Sequence, residues 1–234
     1  MKNLITILSL IVFAINLSAQ NIQDIEFGTD DTFEVVSWNI EWFPTNGQTT
    51  LNYVKQVIEA VDADVFAVQE IDDKDMFRQI GEDLDAYESY IPDGEYSSLG
   101  YIYKSGAIEF VEIYKIYETS QYWKAFPRAP LVFELKFNGQ KYYVIDNHFK
   151  CCGDGDLEQG NEDDEENRRF EAMNLLKQYI DNDLTNERVL VVGDMNDVLT
   201  DNSSDNVFQN VIDDSENYLF TDMEIAQGSS SNYS

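Results

Sequence analysis

Apolar residues alternate with polar ones in some segments of the chain and recur every three or four positions in others. The first spacing is typical of β-strands and the second of α-helices. In chain order the pattern predicts a strand over 32–40, a helix over 50–61, a strand over 64–69 and a helix over 74–84. The first predicted helix has its apolar face formed by Leu51, Val54, Ile58 and Val61.

The second half of the chain continues the alternation. Residues 97–137 are predicted as strands rich in Tyr, Phe, Ile and Val, and Asn138-Gly139 is typical of a hairpin turn before a return strand over 141–149. A helix over 165–180 and a short apolar strand over 188–192 follow. Strand–helix–strand units at both ends, with hairpins between them, predict sheets covered by helices.

The first twenty residues have the layout of a cleaved secretory signal peptide. Lys2 precedes an apolar stretch over 4–17, and small residues follow at Ser18-Ala19. The stretch is short for a stable membrane span, although an uncleaved anchor is the alternative. We therefore expect a secreted or periplasmic protein without stable membrane insertion, whose single mature domain covers residues 21–234.

The composition adds an unusual charge. The chain has 45 acidic and 15 basic residues in 234, a formal net charge of −30. Nucleic-acid binding usually depends on a basic face, but Arg168-Arg169 is the longest basic cluster. Any phosphate must then be met by bound cations or a few local Arg and Lys residues. The alternative is that the acidic surface serves solubility.

Four apolar runs end in polar residues suited to hard cations and phosphates. They are Ser37-Trp38-Asn39-Ile40-Glu41, Val68-Gln69-Glu70, Asp146-Asn147-His148 and Gly193-Asp194-Met195-Asn196-Asp197. Neighbouring strand ends share one rim of a sheet, where ligands bind. Carboxylate and amide oxygens favour Mg²⁺, Mn²⁺ or Ca²⁺, and one His with two Cys is too few for a usual zinc site.

In order, the segments WNIEW, VQEI, R-x-P, NHF and GDMND resemble the endonuclease/exonuclease/phosphatase superfamily. The resemblance covers about residues 32–222, and it depends on the order of motifs that are individually common. It implies a DNase I-like α/β (α+β) four-layer sandwich, with two packed mixed β-sheets flanked by helices. It also implies a metal-dependent phosphoesterase that uses Mg²⁺ or Mn²⁺.

The resemblance further implies roles for individual residues. Glu70 is the metal-ligating carboxylate, and Asn39 supports the metal and a phosphate oxygen. Asp194 and Asn196 orient the attacking water and bind the scissile phosphate. The alternatives are a solvated strand end for Glu70, a turn or cap for Asn39, and an Asx-rich turn for GDMND.

Three more residues are implied as catalytic or substrate-binding. His148, the single histidine, resembles the residue that hydrogen-bonds the phosphate and protonates the leaving oxygen. Arg128 of the R-x-P segment and Asn147 are expected to bind substrate. A core histidine and a surface ion pair are the alternatives for His148 and Arg128.

The family pattern also expects a C-terminal Asp-His segment, whose His activates water. The sequence has no second His, and we expect it to be a C-terminally truncated, poorly active form of the domain.

Two features after the NHF motif stand apart. Cys151-Cys152 could form a vicinal disulfide or remain two thiols, because adjacent Cα atoms about 3.8 Å apart lie below the usual disulfide range. The acidic loop over 153–166 has enough oxygens for a Ca²⁺ site but lacks EF-hand spacing. A plain solvated loop is the alternative.

The sequence thus predicts a monomeric, secreted phosphodiester hydrolase, first of all an endonuclease acting on nucleic acid. Phospholipid or sphingomyelin phosphodiesterases and inositol phosphatases are alternatives. A lipid enzyme should carry an exposed apolar loop, for which Tyr122-Trp123 and Phe126 are the candidates. A non-catalytic, acidic Ca²⁺-binding surface domain is the rival from another class.

Overall fold

The computed structural model describes residues 28–29, 31–94 and 98–228. The predicted signal peptide at 1–20 lies outside these ranges. Within them, no helix combines the length and the apolar character that a membrane crossing would need.

The described residues form two four-stranded sheets and several helices. The strands are β1 (Val35–Phe43), β2 (Val65–Ile71), β3 (Tyr87–Tyr90), β4 (Gly100–Lys104), β5 (Ile108–Lys115), β6 (Leu131–Phe137), β7 (Gln140–His148) and β8 (Val189–Asp194). The helices are α1 (Gln48–Val61), α2 (Lys74–Asp83), α3 (Glu165–Asp183), α4 (Gln209–Ile212) and α5 (Met223–Ala226). A 3-10 helix covers Ser120–Tyr122.

Both sheets are mixed, and each has one parallel pair. The first sheet has the order β1-β2-β4-β3, and the second has the order β5-β6-β7-β8. The strands β1 and β2 are parallel because α1 returns the chain between them, and β7 and β8 are parallel because α3 does the same. The remaining pairs are antiparallel. This agrees with the predicted strand–helix–strand units at both ends.

Three apolar layers make the fold a four-layer sandwich. One layer joins α1 and α2 to the outer face of the first sheet, and another joins α3 to the outer face of the second. The third lies between the sheets and includes the fully buried Ala67, Tyr101 and Phe133. The predicted fold class is confirmed.

The hairpin prediction is also confirmed, whereas one strand escaped prediction. Asn138 and Gly139 both have positive φ, of 48° and 73°, as a type I′ turn between β6 and β7 requires. The strand β3 was missed because its four residues are too few to show a period, and only Tyr87 among them is buried. It is recognisable by its pairing with β4.

Candidate active site

The parallel pairs bring four strand ends to one rim of the sandwich. Asn39 lies beside Gln69 in the β1–β2 register, and His148 lies beside Asp194 in the β7–β8 register. The two sheets meet here, because the Asn39 side chain on the first sheet reaches Asp194 on the second. Residues more than 150 positions apart in the sequence therefore face one another.

Three side chains on this rim can hold a metal ion together. Glu70, His148 and Asp194 each offer one ligand atom, and these atoms lie within 4.8 Å of one another. His148 Nε2 is 3.7 Å from Glu70 Oε1. Asp194, predicted as a water-orienting residue, thus lies among groups that can ligate a cation.

Asn39 joins the two carboxylates of this cluster. Its Nδ2 group donates to Glu70 Oε1 and to Asp194 Oδ2, both at 2.9 Å. Its Oδ1 accepts a hydrogen bond from the Glu41 backbone N–H at 2.9 Å. In this arrangement Asn39 positions the two candidate metal ligands, while its predicted role as a ligand stays a prediction.

His148 is held in the interior of the rim. Its side chain is 4% exposed, and Nδ1 makes no hydrogen bond to any residue that the structure describes. Burial lowers the pKa of His148, and the charge of Arg128 lowers it further, whereas Asp194 and Glu70 act in the opposite direction. A neutral imidazole is the form that can ligate a cation or accept a proton.

The backbone at the strand ends is strained. Glu70 and Asn196 have positive φ angles of 63° and 52°, and Glu41 and Trp42 have φ of 35° and 51°. Such conformations cost free energy in non-glycine residues and concentrate at functional sites. Asn196 is fixed by two further contacts, since its N–H donates to Asp194 Oδ1 and its Nδ2 to the Phe149 carbonyl.

Asn147 does not join the cluster. Side chains alternate along a strand, so Asn147 lies on the opposite face of β7 from Asp146 and His148. It is 1% exposed, and its Nδ2 donates to the backbone carbonyls of Ile145 and Val192. Asn147 thus supports the β7–β8 pairing from a buried position, and its predicted role in substrate binding stays a prediction.

Arg128 lines a pocket of about 210 Å³ together with Lys115 and Tyr117. The positive charge of Arg128 lowers the pKa of His148. Of the candidates for a lipid-binding loop, Trp123 is 48% exposed, but Phe126 is 4% exposed. Of these two side chains, only Trp123 is exposed, whereas a lipid enzyme is expected to have an exposed apolar loop.

A buried polar network behind the cluster was not predicted. Gln69 Nε2 donates to Asp146 Oδ1 at 2.6 Å, and the Asp146 N–H donates to the Tyr101 hydroxyl. The single hydroxyl hydrogen of Tyr101 is shared between the backbone carbonyls of Leu131 and Val144, at 2.7 and 2.8 Å. Burial raises the pKa of Asp146, which favours the neutral form of this carboxyl. The network links β2, β4 and β7 directly beneath Glu70 and His148.

The two cysteines follow β7 at the surface. Their Sγ atoms are not bonded to each other and lie 3.0 Å apart, and the vicinal disulfide and the two thiols stay alternatives. Arg169 fixes this segment, since its Nη1 donates to the carbonyls of Lys150 and Cys152. Its Nε donates to Asp197 in the GDMND segment at 2.6 Å, so one arginine ties both motifs together.

The donor set of the cluster fits a divalent cation. Two carboxylates and a buried imidazole lie within one coordination sphere, and the carboxylate pair needs a compensating positive charge. Carboxylate oxygens favour hard cations such as Mg²⁺, Ca²⁺ and Mn²⁺, and imidazole suits transition metals.

Fold and site together define the class of DNase I-like α/β sandwich proteins. The family model described as Endonuclease/Exonuclease/phosphatase family matches residues 36–214, and the chain belongs to this family. Its members are metal-dependent phosphoesterases. Among curated protein sequences, none matches the chain.

Solved structures share the fold. The human Nocturnin catalytic domain with bound sulfate is 15% identical with a TM-score of 0.61, covering 86% of this chain and 75% of that chain. D. rerio TDP2 complexed with a single-strand DNA product is 18% identical with a TM-score of 0.56, covering 73% of this chain and 62% of that chain. A Bacteroides thetaiotaomicron mannosyl-6-phosphatase is 19% identical with a TM-score of 0.55, covering 76% and 70%. The chain spans 65% of the length of a humanized D. rerio TDP2.

Proposed function

We propose that the protein is an exported phosphodiester hydrolase that acts on nucleic acid with the help of a divalent cation. The observation that carries the proposal is the meeting of Glu70, His148 and Asp194 at one rim, with Arg128 beside them. Carboxylates alone would repel a phosphate. A cation between them, together with Arg128, makes the same place attractive to one.

The residues divide the work of hydrolysis. Glu70 and Asp194 would hold Mg²⁺ or Mn²⁺, and the bound cation would neutralise charge on the phosphoryl oxygens. Arg128 donates N–H groups to a phosphate oxygen. His148, neutral through burial, would donate its ring N–H as a hydrogen bond to a phosphoryl or leaving oxygen. Asn196, locked in its strained conformation, presents its side chain to the scissile phosphate.

The choice of nucleic acid is supported by one of the fold relatives. The D. rerio TDP2 structure is a complex with a single-strand DNA product. Export is supported by the layout of residues 1–20, and a monomer is the assembly we propose.

A second candidate is a phosphatase of a small phosphoester such as a sugar phosphate. Two observations favour it. The net charge of −30 repels a long polyanion, and the pocket of about 210 Å³ beside Arg128 has the size for a small group attached to the phosphate. The mannosyl-6-phosphatase among the fold relatives supports the same substrate class.

The test is a nicking assay on supercoiled DNA beside hydrolysis of p-nitrophenyl phosphate, bis-p-nitrophenyl phosphate and mannose 6-phosphate. We expect nicking with Mg²⁺ or Mn²⁺, and none with chelator. Glu70→Gln should lower activity about 100-fold or more, since even outer-shell partners of metal ligands are worth 10- to 100-fold. The matched control is Glu59→Gln, the same change on the exposed face of α1.

The outcomes separate the candidates. Hydrolysis of the monoesters without nicking would replace the first proposal with the second. Cation binding to the cluster, measured by calorimetry and lost in Glu70→Gln, without hydrolysis of any substrate would favour a non-catalytic binding domain. Full activity in Glu70→Gln would remove Glu70 from the site.

A further inference from the structure

The loop over 149–164, between β7 and α3, and the first turn of α3 bring together acidic side chains that the proposed hydrolysis does not use. Asp154, Asp164 and Glu166 each bring one oxygen within 4.8 Å of the others. Calcium binds oxygen ligands at about 2.4 Å, so ligands on opposite sides of one ion are separated by about twice that distance. A single ion can therefore contact all three carboxylates.

The environment of Glu166 indicates that a ligand binds here. Its side chain is 3% exposed. Its Oε1 is satisfied, because it accepts from the Gly155 N–H at 2.8 Å and pairs with Arg169 Nη2 at 3.0 Å. Its Oε2 is buried and accepts no hydrogen bond from any residue that the structure describes. A buried carboxylate oxygen without a partner is costly, and a cation relieves that cost.

The local charge leads to the same conclusion. Arg169 is shared between Glu166 and Asp197, whose oxygens lie 3.0 Å and 2.6 Å from its nitrogens. One guanidinium therefore faces two buried carboxylates, and Asp154 and Asp164 add two more charges next to Glu166. Four carboxylates against one arginine leave three uncompensated negative charges in the group. A divalent cation offsets two of them.

Helix capping explains only part of this arrangement. Asp164 is the N-cap of α3, and its Oδ2 accepts from the Asn167 N–H at 2.6 Å. Acidic side chains in the first turn also stabilise a helix, because they interact favourably with the positive end of its dipole. Neither effect accounts for the unpartnered oxygen of Glu166. Asp154 lies outside the helix, and its Oδ1 accepts from the Asp156 N–H at 3.1 Å.

We propose that Asp154, Asp164 and Glu166 form a second cation site, which binds Ca²⁺ and fastens the loop to α3. Calcium suits the site because it tolerates irregular oxygen geometry and takes six to eight ligands, so loop carbonyls and water can complete the shell. Arg169 carries the effect onward, because the side chain that pairs with Glu166 also holds the segment after His148. The proposal is independent of the substrate of the active site.

Calorimetric titration with CaCl₂ tests the proposal, and it is performed on the Glu70→Gln protein so that the active-site cluster does not contribute. We expect one Ca²⁺ bound per chain. A second change, Asp154→Asn, should weaken binding at least about tenfold, because affinity follows the number of charged ligands. The control is Asp156→Asn, an exposed neighbour in the same loop with the same loss of charge; it should retain the affinity.

Proteolysis gives an independent readout that needs no enzymatic activity. A Glu-specific protease can cut the loop after Glu158 or Glu162. Calcium should slow this cleavage in the Asp156→Asn protein and leave it unchanged in Asp154→Asn. Equal titrations of the two Asn variants would overturn the proposal, because the loop would then attract cations only as a diffuse acidic surface. Loss of all Ca²⁺ binding with Glu70→Gln alone would overturn it as well.

Discussion

Asn39 shows how a neutral side chain holds two like charges close together. Glu70 and Asp194 belong to different sheets, and both accept from the Asn39 Nδ2 group at 2.9 Å. Hydrogen bonds from N–H to charged acceptors are stronger than neutral ones, so they offset part of the repulsion between the carboxylates. Asn39 therefore keeps the cation ligands in place before any cation arrives.

Replacing Asn39 with Asp tests this role. The side chain keeps its shape but becomes a third negative charge, so Glu70 and Asp194 should separate. We expect hydrolysis to fall about 10- to 100-fold, as for outer-shell partners of metal ligands. The melting temperature should fall in chelator and recover with Mg²⁺. Asn52→Asp, on the exposed surface of α1, is the matched control. Equal melting curves for the two variants would contradict the assignment.

At the scale of elements, the pairing of β7 with β8 sets the distance between His148 and Asp194. Gly193 makes this pairing possible, because its φ is 130°, a backbone conformation that other residues rarely adopt. A Cβ atom at this position would also lie only 1.9 Å from the Asn147 carbonyl oxygen. Any other residue would collide with β7 immediately beside the cluster. The glycine thus determines the separation of two functional side chains on adjacent strands.

Gly193→Ala should separate the strand ends. We expect a loss of about 2 to 4 kcal/mol in the free energy of unfolding, from the collision and from the positive φ. Activity should fall together with stability, because Asp194 moves with the backbone. Gly106→Ala is the control, since its Cβ would meet no atom within 4 Å. Urea denaturation of both variants measures the difference; a Gly193→Ala protein as stable as Gly106→Ala would rule out the close approach.

At the scale of the whole molecule, the charge of −30 opposes any polyanionic substrate. Arg128 is the positive side chain whose field reaches His148, and it acts against the field of the rest of the surface. A bound cation adds to Arg128. A polyanionic substrate is therefore attracted at short range by Arg128 and the bound cation, and repelled at long range by the net negative charge of the protein. Dissolved salt screens the long-range repulsion more strongly than the short-range attraction.

The rate of DNA cleavage should reflect this balance. With Mg²⁺ at saturation, raising NaCl from about 20 to about 150 mM should increase kcat/KM for an oligonucleotide about two- to fivefold, because screening weakens long-range repulsion. Hydrolysis of bis-p-nitrophenyl phosphate, which carries one charge, should change little. A steep decrease for the oligonucleotide would instead indicate a basic binding surface and contradict the charge argument.

Much of the fold followed from local patterns. The period of apolar residues predicted the long elements, and Asn138-Gly139 predicted the hairpin between β6 and β7. Strand ends rich in Asp, Glu, Asn and His indicated where chemistry should lie. Short elements such as β3 were missed because four residues carry too little periodicity, and pairing with β4 defines them instead.

The sequence by itself determined the types of residue at the site, the elements that carry them and the family. Only the tertiary structure decided which of those residues meet. In the fold, Asn147 lies on the opposite face of β7 from the cluster. Asn39 donates hydrogen bonds to Glu70 and Asp194, and Asp194 is one of the possible metal ligands. The physical reason is that these contacts join residues of different strands and, between Asn39 and Asp194, of the two different sheets. Sequence patterns describe each strand separately, whereas distances between strands depend on how the whole sandwich packs.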